Sequence, residues 1–174
     1  MKKLIIAAAM VCAAVFAQAA TVNWGISNVK DSSGAAPTAG WAVMAFYTEV
    51  GAGSGAIESA IAAGTAGSLA FETTTLAVQL SKGKVTAHDY SVAALDTSKN
   101  YDFYFVVFDN ANAAAAGNYA MVSALNREYS SVDGKFTASG NFSGATWTEA
   151  VPEPTTGLLV LLGVAGLALR RRRA

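Results

Sequence analysis

Hydrophobic residues between positions 20 and 150 mostly follow the alternating pattern of β-strands. Residues 21–27 and 76–81 place an apolar side chain at every second position, which predicts strands with one buried face. Residues 41–48 and 101–109 are apolar on both alternating faces, so they are expected to form strands covered on both sides. The alternating apolar residues are Val22, Trp24, Ile26, Leu76, Val78 and Leu80.

Two dipeptides between these runs have the composition of tight turns. Asp133-Gly134 and, more weakly, Lys82-Gly83 separate alternating segments. Glycine tolerates the left-handed backbone that short hairpin loops require. Both dipeptides therefore predict hairpins.

Two stretches interrupt the strand pattern. Residues 51–67 are rich in glycine and alanine, and residues 110–118 are centred on four alanines. Within the first stretch, residues 56–63 are expected to form a short helix, with Ser54 as its N-cap and Glu58 in its first turn.

The number of strand-like runs favours an all-β fold. Six or more short strands separated by turn residues, with little helix, predict a small antiparallel β-sandwich or a partly closed barrel. Sixteen aromatic residues are spread through positions 20–150, which is typical of strands. These 131 residues are enough for one domain with its own core.

The N-terminal residues have the organisation of a secretory signal peptide. Residues 1–19 join a basic start to an apolar run over residues 4–16, which predicts a signal helix. Ala17 and Ala19 supply the small residues that signal peptidase recognises, so cleavage is expected after Ala19. An uncleaved N-terminal anchor is the alternative. A lipoprotein signal at Cys12 is disfavoured because a bulky valine precedes that cysteine.

The C-terminal residues 151–174 contain a proline motif followed by a short apolar run. Pro152 and Pro154 disfavour helix and hold Glu153 in an extended segment. The 13 residues 157–169 are apolar. As a helix they would span roughly 20 Å, whereas a bilayer core is about 30 Å thick.

The chain ends in a basic cluster formed by Arg170, Arg171, Arg172 and Arg173. Positive charges beside an apolar helix tend to stay on the cytoplasmic side of a membrane, so residues 20–150 are expected outside. The predicted signal peptide gives the same topology. Because the apolar run is short, it is expected to attach the chain to the inner membrane only temporarily. A plain stop-transfer anchor is the alternative.

The tail resembles that of the PEP-CTERM sorting-signal proteins, which end in Pro-Glu-Pro, a short hydrophobic helix and an arginine cluster. The resemblance is confined to residues 151–174. It implies processing by an exosortase, a membrane-embedded cysteine transpeptidase of Gram-negative bacteria that make exopolysaccharide. It also implies delivery to the cell surface or the extracellular matrix.

The zero net charge of the whole chain conceals an acidic body. Residues 20–150 carry six basic and eleven acidic residues, a balance of −5, which argues against a nucleic-acid partner. Cys12 is the only cysteine and His88 the only histidine. The body therefore lacks the residues for thiol catalysis, disulfide frameworks and multi-histidine metal sites.

A glycine-rich stretch from Gly51 to Ala56 formally fits a dinucleotide-binding loop, with Glu72 at a suitable distance. The helix that would follow has barely two turns, and no βαβ unit continues from it. A flexible loop is therefore the favoured interpretation.

Catalytic groups are few. His88 has no associated nucleophile elbow, so a solvated histidine near a strand end is expected. Asp109 to Asn112 bring oxygen ligands together, but Ala111 breaks the calcium-loop pattern, which favours a polar turn over a weak calcium site. Five carboxylates could include a glycosidase pair, whose spacing the sequence does not give. They are Glu49, Glu72, Asp89, Asp102 and Asp109.

These features predict a non-enzymatic exported protein with no catalytic residue, cofactor or metal site assigned. Its partners would be signal peptidase and exosortase, with extracellular polysaccharide as the expected contact of the body. Two alternatives stay open, a secreted carbohydrate-active enzyme that uses a carboxylate pair and a simply membrane-tethered β domain.

Overall fold

A computed structural model of the chain describes residues 19–150. The predicted signal helix and the predicted C-terminal helix lie outside these residues. The described part contains ten strands and one short α-helix, α1 (Gly55–Ala62). The strands are β1 (Ala20–Val29), β2 (Ala42–Glu49), β3 (Glu72–Thr75), β4 (Ala77–Gln79), β5 (Lys82–Val92), β6 (Tyr101–Phe108), β7 (Asn118–Arg127), β8 (Tyr129–Ser130), β9 (Lys135–Asn141) and β10 (Trp147–Glu149).

The strands form two five-stranded sheets, which confirms the all-β prediction. The first sheet has the order β4-β5-β1-β9-β8 and the second has the order β10-β7-β6-β2-β3. The two ladders stay separate within residues 19–150, so the body is not a closed barrel. The expectation of purely antiparallel pairing is wrong at one place, because β1 and β9 run parallel.

The main core lies between the two sheets. Trp24 of β1 is 0% exposed and stacks on Phe105 of β6, with ring centroids 5.5 Å apart. Phe136 of β9 packs against Phe103 of β6 at 5.9 Å. Because each pair joins one sheet to the other, the aromatic side chains hold the two layers face to face.

Strand β6 is buried on both faces, as its unbroken apolar run predicted. Its inward side chains join the inter-sheet core, whereas Tyr104, Val106 and Phe108 face the outer side of the second sheet. Ile57 and Ile61 of α1 pack in that outer cluster. The short helix therefore supplies the second apolar cover of the central strand.

Helix α1 lies within one residue of its predicted bounds, and Ser54 occupies the predicted N-cap position but does not cap the helix with its side chain. The Ser54 side chain makes no capping bond to a backbone amide. Its hydroxyl instead donates to the Glu58 carboxylate at 2.7 Å. Eight residues make a helix only marginally stable alone, so its stability comes from the apolar face that packs on the sheet.

The predicted turn at Asp133-Gly134 is confirmed. Gly134 has a φ of +67°, and its amide donates to the Ser130 carbonyl at 2.8 Å across the β8–β9 hairpin. This is the left-handed backbone that glycine adopts at no steric cost.

We expect Gly134→Val to lower the free energy of unfolding by about 1 kcal/mol or more, because a β-branched residue is strained at positive φ. Thermal unfolding followed by circular dichroism measures the effect. Gly55→Val is the matched control, since a Cβ at Gly55 would meet open space at an ordinary φ. Equal stability of the two variants would contradict the argument.

The predicted turn at Lys82-Gly83 is wrong, because both residues already belong to β5. The hairpin turns instead at Leu80 and Ser81, which have φ values of +51° and +59°. Leucine and serine rarely adopt this conformation. For this reason the residue types predicted the turn at the neighbouring glycine instead. A Cβ at Gly83 would collide with the buried Leu76 side chain, and that close packing is what requires glycine there.

The predicted half-buried strand over residues 76–81 is also wrong in part. Leu76 is buried, but Val78 and Leu80 are exposed, Leu80 to 91%. Strand β4 lies at the edge of the first sheet and has only three residues, so it has too little contact with the core to bury either side chain.

The first and last described strands place the ends of the body far apart. Ala20 pairs with Val92 at one end of the first sheet. At the other end of the molecule, the Trp147 indole donates to the carbonyl of Lys30, just beyond β1, and the chain reaches Ala150. The length of β1 puts about 30 Å between these two ends.

Candidate functional sites

The segment that joins the body to the C-terminal tail is paired with the edge of the second sheet. Strand β10 pairs with the start of β7, and the Ala150 amide donates to the Gly117 carbonyl at 2.9 Å. The sorting residues Pro152, Glu153 and Pro154 come next in the sequence. They and the four terminal arginines lie outside the described residues, as does Ala17, whereas Ala19 is the first described residue and is exposed.

A polar cluster joins the two sheets at one side of the core. Glu72 begins β3 in the second sheet, and its carboxylate accepts from the Trp24 indole N–H at 2.5 Å and contacts His88 Nε2 at 2.9 Å. Trp24 and His88 both belong to the first sheet. These three side chains form the Glu72 cluster, a polar link between the layers. His88 is therefore not the solvated strand-end residue expected from the sequence.

A β-bulge in β5 orients His88. Trp24 pairs with His88 and Ile26 pairs with Val85, so two residues of β5 lie opposite the single residue Gly25. The carbonyl of one of them, Thr86, lies 3.0 Å from His88 Nδ1. The bulge thus fixes one ring nitrogen while the other faces Glu72.

Both ring nitrogens of His88 face oxygen acceptors, which suits the doubly protonated imidazolium. The Thr86 carbonyl and then the Glu72 carboxylate raise the pKa of His88 above its ordinary value of 6.5. The nearby negative charge of Asp89 acts in the same direction. His88 is therefore a cation over a wider pH range in the folded protein than in the unfolded chain.

We expect His88 to make the free energy of unfolding depend on pH. The pKa of His88 is higher in the folded protein than in the unfolded chain. The charged side chain therefore contributes fully to the free energy of unfolding below about pH 6.5, and this contribution is lost as the pH rises through the folded pKa. We expect His88→Gln to remove that loss, which should not exceed about 1 kcal/mol since the side chain is 38% exposed. Urea unfolding at a series of pH values measures it. A pH profile unchanged in His88→Gln would contradict the assignment.

The candidate carboxylates do not converge on one site. Asp102 of β6 is buried and accepts from the amide of Gly51, in the loop after β2, at 3.2 Å and from the amide of Asn126, in β7, at 2.7 Å. Glu49 pairs with Lys99 on the surface. Each of these carboxylates has a structural partner of its own.

Asp89 lies on the opposite face of β5 from His88, because neighbouring strand residues point to opposite sides. It binds Asn23 and Lys135, and first Asn23 and then Lys135 lower its pKa. Among residues 19–150, no three histidine, cysteine or acidic side chains are grouped as a metal site would require.

The loop after β6 is a polar turn. Asp109 accepts from the Gly117 amide and from the Asn118 side chain, both at 2.9 Å. The side-chain oxygens of Asn110 and Asn112 accept from backbone amides of the same loop. These oxygens stabilise the loop itself, which supports the turn interpretation over a calcium site.

The glycine-rich stretch is a loop between β2 and α1. Gly51 and Gly53 have φ values of +85° and +71°. Strand β3, which follows α1, pairs antiparallel with β2, whereas a dinucleotide-binding unit needs a parallel crossover. Glu72, the acid at suitable spacing, belongs to the Glu72 cluster instead.

An open cleft that sequence reasoning did not find lies beside β10. We name it the Trp147 cleft. It has a volume of about 490 Å³. Its residues include Lys30, Asp31, Ser32, Asn118, Phe142, Thr146 and Trp147. They come from three separate parts of the sequence, so no local motif indicated the cleft.

Loop geometry holds the Asp31 carboxylate in place. One carboxylate oxygen accepts from the Ser33 hydroxyl at 2.7 Å and from the Ala35 amide at 2.8 Å. The Ser33 hydroxyl first, and then the Ala35 amide, lower the pKa of Asp31. The cleft therefore combines a partly exposed indole with a fixed carboxylate.

The comparisons with known proteins bear on the tail alone. Residues 150–173 match the family model of the PEP-CTERM protein-sorting motif. No curated protein and no solved structure matches the chain. This motif marks proteins that are exported to the cell envelope or surface in bacteria. The sorting signal of this chain is a PEP-CTERM tail, a substrate for exosortase processing, which confirms the resemblance seen in the sequence.

In the part of the chain that the structure describes, no helix has the length and apolar character needed to cross a membrane.

Proposed function

We propose that this chain is a non-enzymatic protein of the cell surface or extracellular matrix, released from the inner membrane after exosortase processing. In this proposal residues 20–150 form a β-sandwich domain, signal peptidase removes residues 1–19, and the tail of residues 151–174 is a processing handle. The match of residues 150–173 to the sorting motif is the observation that carries the proposal.

The arrangement of the polar residues supports a body without catalysis. Glu72 accepts from the Trp24 indole and contacts His88. The buried Asp102 accepts from the amides of Gly51 and Asn126. Each carboxylate has structural partners of its own, whereas a glycoside hydrolase needs two carboxylates on either side of one bond. The polar interior of the body therefore stabilises the fold.

The Trp147 cleft supports a contact with extracellular polysaccharide. A sugar ring presents an apolar face and a rim of hydroxyls, which suits an indole next to carboxylate, amide and hydroxyl side chains. The cleft supplies these groups from Trp147, Asp31, Asn118 and Thr146. In this proposal, extracellular polysaccharide binds to the body in the Trp147 cleft.

Binding and hydrolysis assays on the purified protein test both parts of the proposal. We expect binding on a glycan array, weakened at least about tenfold by Trp147→Ala, with no release of reducing sugar. Leu80→Ala is the control, because Leu80 is exposed and is not one of the cleft residues. Turnover that one carboxylate substitution abolishes would instead establish the carbohydrate-active enzyme.

A further inference from the structure

Two residues separate the end of β10 at Glu149 from Pro152, the first residue of the sorting motif. The Ala150 amide is bonded to the Gly117 carbonyl, and Ala150 is only 6% exposed. Glu153 follows three residues later. Even in a fully extended chain, about 10 Å at most separates Glu153 from this anchored position.

An enzyme that binds an extended peptide pairs with the backbone of several consecutive residues. The residues just before Pro152 include Glu149 and Ala150. Glu149 is already paired with Asn118 of β7, and Ala150 with Gly117. One backbone cannot occupy the edge of the body and the cleft of an enzyme at the same time.

We propose, on the basis of the sorting function proposed above, that β10 must separate from β7 before residues 152–154 can enter the cleft of the sorting enzyme. While β10 is paired with β7, the tail is not processed. The stability of this pairing then sets the rate at which the tail is removed.

The contacts of β10 allow such a local release. It is a three-residue strand at the edge of its sheet, and Thr148 and Glu149 are exposed. Its main side-chain hold is Trp147, which donates to the Lys30 carbonyl at 3.1 Å and packs on Trp41. Strand β7 remains paired with β6 along its length, so the core sheets persist when β10 leaves.

A disulfide between β10 and β7 tests the proposal in the full chain. Asn118 and Glu149 lie directly opposite each other, which suits a cross-strand disulfide between Asn118→Cys and Glu149→Cys. Residues 20–150 contain no other cysteine, and exported compartments permit the bond. We expect pulse–chase in the native host, read by intact mass, to show tail removal slowed at least about tenfold.

Three controls separate strand release from general damage. The single variant Glu149→Cys should be processed at the parent rate, and dithiothreitol should restore the rate of the locked protein. Inserting Gly-Ser-Gly-Ser between Ala150 and Val151 adds about 13 Å of reach. We expect this insertion to restore processing in the locked protein without reduction.

The outcomes distinguish the two proposals. A locked protein processed as fast as the parent would overturn strand release, as would an insertion that fails to rescue it. If the parent itself keeps residues 155–174 as its dominant form, the sorting function fails and strand release fails with it.

Discussion

Replacing Pro152, Glu153 and Pro154 together by alanine is expected to leave export intact and to accumulate full-length protein in the membrane fraction. The signal peptide is unchanged in this variant, so translocation should proceed. The sorting enzyme loses its recognition residues, and the apolar run over residues 157–169 then remains attached. Intact-mass analysis of membrane and released fractions measures the effect, which should approach complete loss of processing.

Neutral substitution of the four arginines is the informative comparison. It removes the positive charge that holds the tail at the cytoplasmic face, while the recognition residues stay in place. We expect that variant to lose membrane retention, because a 13-residue apolar run holds weakly without its charged end. If the alanine variant were still released with its tail removed as in the parent, the sorting enzyme would not need residues 152–154 for recognition.

Gly25→Ala is expected to destabilise the body by about 2–3 kcal/mol, the largest folding effect of a single methyl group that we expect. A Cβ at Gly25 would lie 2.8 Å from the backbone nitrogen and Cα of Ala87 and 2.9 Å from the Val85 carbonyl. Backbone atoms in a paired strand cannot rotate away as a side chain can. Either β5 must shift, or the bulge that orients His88 must open.

Thermal and urea unfolding of Gly25→Ala and Gly55→Ala compare the two glycines directly. The second variant should keep or gain stability, since that position is open and helical. The change at Gly25 should also weaken the pH dependence that His88 contributes. A Gly25→Ala protein as stable as the parent would show that β1 and β5 are not tightly paired at the bulge.

The pattern of apolar residues correctly predicted the strands whose buried faces can be recognised from their own sequence. The alternation over residues 21–27 and the unbroken run over residues 101–109 correspond to β1 and β6, because each strand's own sequence records which faces are covered. The turn at Gly134 followed from its residue type. Leu80 and Ser81 turn the chain without such a signal, so the β4–β5 hairpin was predicted two residues too late.

Contacts between distant segments could not be predicted in the same way. The parallel pairing of β1 with β9 joins residues more than a hundred positions apart, and nothing in either strand specifies the direction of its neighbour. Glu72 and His88 are 16 residues apart and belong to different sheets. Their contact depends on how the two layers stack, and each residue alone was consistent with a solvated surface position.

The separation of Ala20 from Ala150 decides which surface the protein presents while its tail is still in the membrane. The end of the body near Lys30 and Ala150 is then closest to the bilayer, and the end near Ala20 and Val92 points into the surroundings. A reporter or antigen fused at Ala20 would be displayed about 30 Å above the attachment point. Antibodies raised against the Ala20 end should therefore label the unprocessed protein in spheroplasts, where the outer face of the inner membrane is exposed, whereas the Trp147 cleft would become accessible only on release.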